Sequence, residues 1–191
     1  MAYRGFGVQT LTAATAQPVF GTTLTSAISV LTTDPHTGRT DPASQASIAS
    51  AVVTSTQFFR VGDRVAVGPA AGPYDWARVT AITAGTPPAG TLTLKGLTAT
   101  HANGQYVILS IPCAGIGIQP ISVTASMYVG EDSTVSATSA TLIYAFPILT
   151  TVGVAYFSGF AAPAGNTLDT PHLWIIGANS SDKYLPSILI V

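Results

Sequence analysis

Few residues of this 191-residue chain could do chemistry, and their spacing works against most reactions. His36, His101 and His172 each lie in or beside a turn-rich stretch, with no two at metal-ligand spacing. The single cysteine, Cys113, has no second cysteine or histidine beside it, so neither a zinc site nor an internal disulfide is expected. Asp169-Thr170-Pro171-His172 offers an Asp–His pair, but no G-x-S-x-G elbow supplies a nucleophile. Glu131 and Asp132 are neighbours on a turn, whereas glycosidase chemistry needs two carboxyl groups facing each other across a cleft. Asp34 and Asp41 flank a turn within reach of a calcium ion, yet the loop lacks the alternating Asp order of known calcium cages. Gly115-Ile116-Gly117 has no third glycine and no following helix, so it is not a phosphate loop. Asn179-Ser180-Ser181 matches a glycosylation acceptor, which carries weight only behind a secretory signal. The residues predict no enzyme, no cofactor and no metal.

One constellation remains. Arg60, Arg64 and Arg78 gather in one stretch with Asp63 and Asp75. They are either solvated and locally paired, or they reach the surface of a neighbouring subunit, and the second reading makes them interface candidates. The stretch that must position them runs from Thr56 to Ser110. Its pieces, 58–67, 76–82, 91–94 and 105–109, are rich in Val, Ile, Thr and aromatic residues and are bounded by Gly, Pro, Asn or Asp. Val65 and Val67 alternate with Arg64 and Ala66, and Val79 and Ala81 alternate with Arg78 and Thr80. Four short strands at this spacing predict a small barrel or half of a sandwich.

Composition narrows the class. Charged residues are 8% of the chain, against about 25% for an ordinary soluble domain. That leaves a membrane protein or a protein largely covered by partners. No stretch approaches the roughly 18 continuous apolar residues of a spanning helix; the longest charge-free run, 133–168, is interrupted by Pro147 and Pro163. Too few long alternating strands are present for an outer-membrane barrel, and the first residues lead into a Thr/Ala/Gln stretch with no apolar signal core. A net charge of −1 gives no basic field for nucleic acid. Partner coverage is the favoured explanation.

Residues 1–23 scatter apolar side chains without a helical period, and they predict an extended N-terminal arm. Tyr3, Phe6, Val8, Leu11, Val19 and Phe20 would then anchor it on a neighbour, since such residues left exposed invite aggregation. The alternative is a first strand docked on its own domain. Residues 24–33 and 47–54 read as strands around the loop 34–42. Ile111–Pro120, with two prolines and two glycines, reads as a connection and a domain boundary. Beyond it, 121–129, 141–146, 151–157, 172–176 and 184–191 predict about five strands of an antiparallel sandwich. The expected fold is all-β: an arm over 1–23, a β-barrel-like domain over 24–112, and a jelly-roll-like β-sandwich over 113–191.

Three stretches carry a resemblance. They are Gln9-Thr10-Leu11-Thr12 with Ala16-Gln17-Pro18-Val19-Phe20-Gly21; Phe59-Arg60-Val61-Gly62-Asp63-Arg64-Val65 with His101-Ala102-Asn103-Gly104-Gln105-Tyr106-Val107; and Met127-Tyr128-Val129-Gly130-Glu131-Asp132-Ser133-Thr134-Val135-Ser136-Ala137-Thr138 with Trp174 and Asp182-Lys183-Tyr184-Leu185-Pro186-Ser187. Together they resemble virion proteins of tailed bacteriophages, and the third looks like a segment of small β-sandwich capsid-decoration proteins. The resemblance implies a cement protein on the capsid exterior. It would be a homo-oligomer, trimer or dimer, bound to the major capsid protein and to neither nucleic acid nor membrane. A neck, tail or baseplate component is the structural alternative. A carbohydrate-binding sandwich, stacking sugars on Trp76, Trp174 or Tyr184, is the alternative of another class.

Overall fold

The computed structural model describes residues 2–29, 47–122, 126–140, 142–146, 158–161, 168–169 and 173–190. The fold is all-β, built from antiparallel sheets, and the chain divides into two compact units, Gly21–Ser110 and a discontinuous one made of Met1–Phe20 and Ile111–Val191. The expected boundary near residue 112 falls within two residues of the observed one. The expected 1–23 arm is corrected: Met1–Phe20 belongs to the discontinuous unit and Gly21–Thr23 to the other, so that in sequence the barrel is an insertion within the discontinuous unit.

The inserted unit is one six-stranded sheet. Its strands are β4 (Gly21–Thr23), β5 (Ser47–Val53), β6 (Arg64–Gly68), β7 (Asp75–Ala84), β8 (Gly90–Leu97) and β9 (Tyr106–Leu109), ordered β4-β9-β6-β7-β8-β5. The sheet curls until its edges meet at a Leu24–Val53 bridge. There the Thr25 N–H donates to Val52 C=O at 2.9 Å and the Thr54 N–H to Thr23 C=O at 3.0 Å. Pairing at this point shortens the exposed ladder that an open sheet would leave. Val65, Val67, Ala77, Val79, Leu92, Leu94, Val107, Leu109 and Val53 are buried, as are Phe58 and Phe59, whose rings meet edge to face.

Two expectations change in detail. Phe58–Asp63 is a turn leading into β6 rather than its first half, with Gly62 at a φ of 96° that only glycine adopts readily. Ala81 does not share a face with Val79. A register shift between them lets Val79 pair with Leu94 and Ala81 with Thr93, so Ala81 points outward and Ile82 pairs with buried Leu92. One extra residue in a strand reverses which side chains face the core.

The discontinuous unit holds two sheets. The first runs β1 (Ala2–Gly5), β16 (Lys183–Ile190), β10 (Pro112–Ser122), β13 (Ser158–Ala161), with β2 (Gln9–Thr10) on β16 and β14 (Leu168–Asp169) on β10. The second runs β12 (Leu142–Phe146), β11 (Met127–Gly130), β15 (Trp174–Gly177), β3 (Gln17–Pro18). Both feed one core, with Ile116, Ile118, Tyr184 and Ile188 from the first and Met127, Val129, Trp174 and Ile175 from the second.

The connection expected over 111–120 is instead β10, the longest strand. Pro112 stands at its first residue, and Pro120 adjoins one of the two register shifts in the ladder with β16, the other lying between Cys113 and Gly115. Proline is tolerated at a strand start and beside a bulge, where no ladder donor is needed. The single strand expected over 121–129 divides accordingly: Ile121 and Ser122 end β10, while β11 begins at Met127. The strand expected over 151–157 lies outside the described residues, as do residues 30–33.

Candidate interaction surface on the barrel

The interface residues expected from the arm are mostly core. Phe6, Leu11, Val19 and Phe20 are all buried within the chain, and the Phe6 and Phe20 rings pack at 5.3 Å between centroids. β1 pairs with β16 over Ala2–Gly5, Leu11 N–H donates to Asp182 C=O at 2.9 Å, and Val19 N–H donates to Leu173 C=O at 2.9 Å. This overturns their reading as an exposed anchor, because the chain's own strands already fill their hydrogen-bonding and apolar needs. Tyr3 lies in β1, paired with Leu189, and Val8 stays half exposed.

The arginine cluster is where the structure gathers something the sequence left scattered. Arg64, Arg78 and Lys95 stand in register on three adjacent strands, Arg64 opposite Arg78 on β6 and β7, and Arg78 opposite Lys95 on β7 and β8. Directly opposed residues share a face about 5 Å apart, so three cations form one row, all exposed. Like charges placed opposite one another destabilise a sheet. Lys95 was missed because its place follows from strand register, which a single sequence does not display. Arg60 lies apart in the preceding turn, where its N–H donates to Asp63 Oδ2 at 2.7 Å and Asp63 N–H donates to Arg60 C=O at 3.1 Å.

Two of the three cations are held. The Arg64 guanidinium lies over the Trp76 ring at 4.3 Å, and Arg78 Nη1 donates to Gly62 C=O at 2.7 Å. Lys95 is placed by Gly96, the extra residue opposite Ser47 and Ile48, whose φ of 110° favours glycine. Arg64, Trp76, Ala77, Arg78 and Lys95 line an open depression of about 230 Å³, and none of them is acidic. Beyond Lys95 the row continues with Ile48, directly opposite on β5 and 71% exposed.

Asp75, two residues before Ala77, does not pair with the row. It accepts from Thr98 N–H at 2.6 Å, Ala99 N–H at 3.0 Å, Thr98 Oγ1 at 3.1 Å and its neighbour Trp76 N–H at 3.0 Å. His101 Nε2 lies 3.3 Å from Asp75 Oδ2, and His101 Nδ1 lies 3.0 Å from Gln105 Oε1. Burial alone would raise the Asp75 pKa. The Thr98 and Ala99 amides, with His101 and the Thr98 hydroxyl, outweigh burial and hold the carboxyl below its usual range.

This clamp pins the chain leaving β8 to the start of β7, and so fixes the backbone that carries Trp76. Asp75→Asn is expected to cost roughly 1.5–3 kcal/mol, the scale of hydrogen bonds to a charged group. A depressed folded-state pKa contributes stability that is complete above the unfolded value of about 3.9 and is lost as pH falls through the folded value. Melting wild type and variant from pH 7 into the acid range should show that step in the wild type and its absence in Asp75→Asn.

Other candidate groups stay apart. Cys113 is fully buried in β10. Glu131 is exposed on its turn, while Asp132 Oδ1 accepts from Thr134 N–H at 2.7 Å. Asp34, His36, Asp41 and His172 lie outside the described residues. Among the described residues no three His, Cys, Asp or Glu side chains form a metal-sized group. Of the rings proposed as sugar platforms, Trp174 and Tyr184 are core, and one face of Trp76, which is itself exposed, carries the Arg64 guanidinium. No helix among the described residues is long and apolar enough to cross a membrane.

No family model and no curated protein matches the chain. Two crystal structures of the S. cerevisiae Ski7 GTPase-like domain are loosely similar, one bound to GDP and inorganic phosphate and one to GTP. Each is 11% identical and covers 88% of this chain, with TM-scores of 0.36 and 0.34. The chain spans 44% of their length, and at this level of likeness nothing about it follows from them.

Proposed function

We propose that this is a non-enzymatic structural protein of a tailed-bacteriophage virion. It binds the capsid exterior and stabilises the shell by bridging major capsid protein subunits, as a homo-oligomer. The observation that carries a binding role is the exposed row of Arg64, Arg78 and Lys95 with Trp76 and Ile48 on the barrel. Arginine and tryptophan are enriched where proteins meet, and aligned like charges gain only when a partner arrives. The low overall charge fits a surface meant to be covered, and the virion assignment rests on the three sequence stretches that resemble phage proteins.

Binding in many copies would stabilise a shell by mass action, because each bound copy favours the assembled state over the dissociated one. The test is light scattering of the full chain alone, then co-sedimentation with empty shells. A small closed oligomer that sediments in hundreds of copies per shell is the expected result. About six or twelve copies, as closed ring symmetry demands, would move the assignment to a neck or tail ring. A chain that ignores shells at every concentration would end it.

A further inference from the structure

We infer that the outer face of β6, β7, β8 and β5 docks an acidic segment of another protein, one presenting carboxylates to Arg64, Arg78 and Lys95 and an apolar side chain to Ile48 and Val52. The inference deepens the shell-binding reading and rests on it for the identity of that protein. Register alone brings the three cations together, at a cost in like-charge repulsion that an incoming pair of carboxylates would reverse. The Arg64 guanidinium is already stacked on Trp76 and that of Arg78 already tied to the Gly62 carbonyl. Their forks therefore lose little freedom on meeting a planar carboxylate.

The neighbouring side chains decide between a protein and a nucleic acid. Ile48 and Val52 project from the same side of β5, exposed by 71% and 41%, while Ala49, Ala51 and Val53, which alternate with that side, are buried. Ile48 stands directly opposite Lys95, so the cationic row ends in an aliphatic patch. A sugar-phosphate chain has no use for that patch, whereas a protein segment can cover it with one Leu or Val. The net charge of −1 likewise supplies no long-range field to gather a polyanion. Short-range pairing within a mixed charged and apolar surface is what remains, and that is how a protein partner is read.

Trp76 makes the test direct, since it is 38% exposed while Trp174 is buried. The full chain is titrated, with tryptophan emission as the readout, against a short peptide of interspersed Glu and Leu, its Gln and Leu counterpart, and an oligothymidylate. The Glu peptide is expected to shift the emission at low salt. High salt should abolish the shift, and the Gln peptide should not produce it. Arg78→Glu and Lys95→Glu should each weaken binding about tenfold or more, and Ile48→Ser by less. Unchanged far-UV circular dichroism confirms that the variants fold.

An oligothymidylate that binds as tightly as the Glu peptide would overturn the proposal, as would charge reversals without effect or no shift at all. The same variants mixed with shells separate the two readings. A chain that answers the peptide but ignores shells loses only the virion assignment. A chain that coats shells regardless of Arg78→Glu loses only this docking face.

Discussion

Removal of residues 2–20 is expected to leave a chain whose discontinuous unit does not fold. An arm that merely reached for a neighbour could be cut away and leave a stable monomer. Here the segment supplies β1 and β2 to one sheet and β3 to the other. It also brings Phe6, Leu11, Val19 and Phe20 into the core. Burying such side chains is worth roughly 1.5–3 kcal/mol each, so four of them rival the roughly 5–15 kcal/mol by which a whole domain is stable. The truncation would in addition strip the partner from Tyr184, whose hydroxyl donates to Val19 C=O at 3.4 Å in a fully buried site. Hydrogen exchange of the truncated chain should show protection lost over 112–122 and 183–190 and kept over 64–97. Retained protection in β10 and β16 would show that the arm is dispensable after all.

Trp174→Ala is the point substitution with the largest expected effect, a loss of about 3–5 kcal/mol. The indole is 1% exposed and the largest fully buried side chain described. Its backbone sits mid-sheet, opposite Gly130 on β11 and Pro18 on β3. Those neighbours bring little side-chain volume to collapse into the space the ring would vacate, so the cavity term should be near the top of its range. Urea denaturation followed by circular dichroism checks the figure. Trp174→Phe, which keeps most of the volume, should recover the larger part of the loss. A cost below about 1 kcal/mol for the alanine variant would mean the core relaxes around the gap.

Much of the barrel was legible because its strands announce themselves locally. Val65, Val67, Val79, Leu92 and Leu94 recur at period two between turn residues, and all are buried. What escaped the sequence depends on pairing. β2 and β3 are two residues long, too short to show any period, and are strands only because β16 and β15 receive them. β10 was hidden by Pro112 and Pro120, whose cost in a strand vanishes at the end and beside a bulge. The cationic row was half legible. Arg64 and Arg78 stood out as a pair of outward positions, but Lys95 joins them only through a register that a shift after Val79 and the bulge at Gly96 both adjust. Arg60 was grouped with them by proximity along the chain, which a turn makes irrelevant.

The position of the barrel within the chain has a consequence for how such a protein can vary. Gly21 opens the unit and pairs with Ile108 on β9, two residues before its close at Ser110. Antiparallel partners lie about 5 Å apart, so the chain enters and leaves through one doorway. A unit attached in this way behaves as a cassette. It can be lengthened, exchanged or lost while the host backbone is asked to span only that one gap. The outer face of the barrel can then change while the sandwich core, in which β1 pairs with β16, stays as it is.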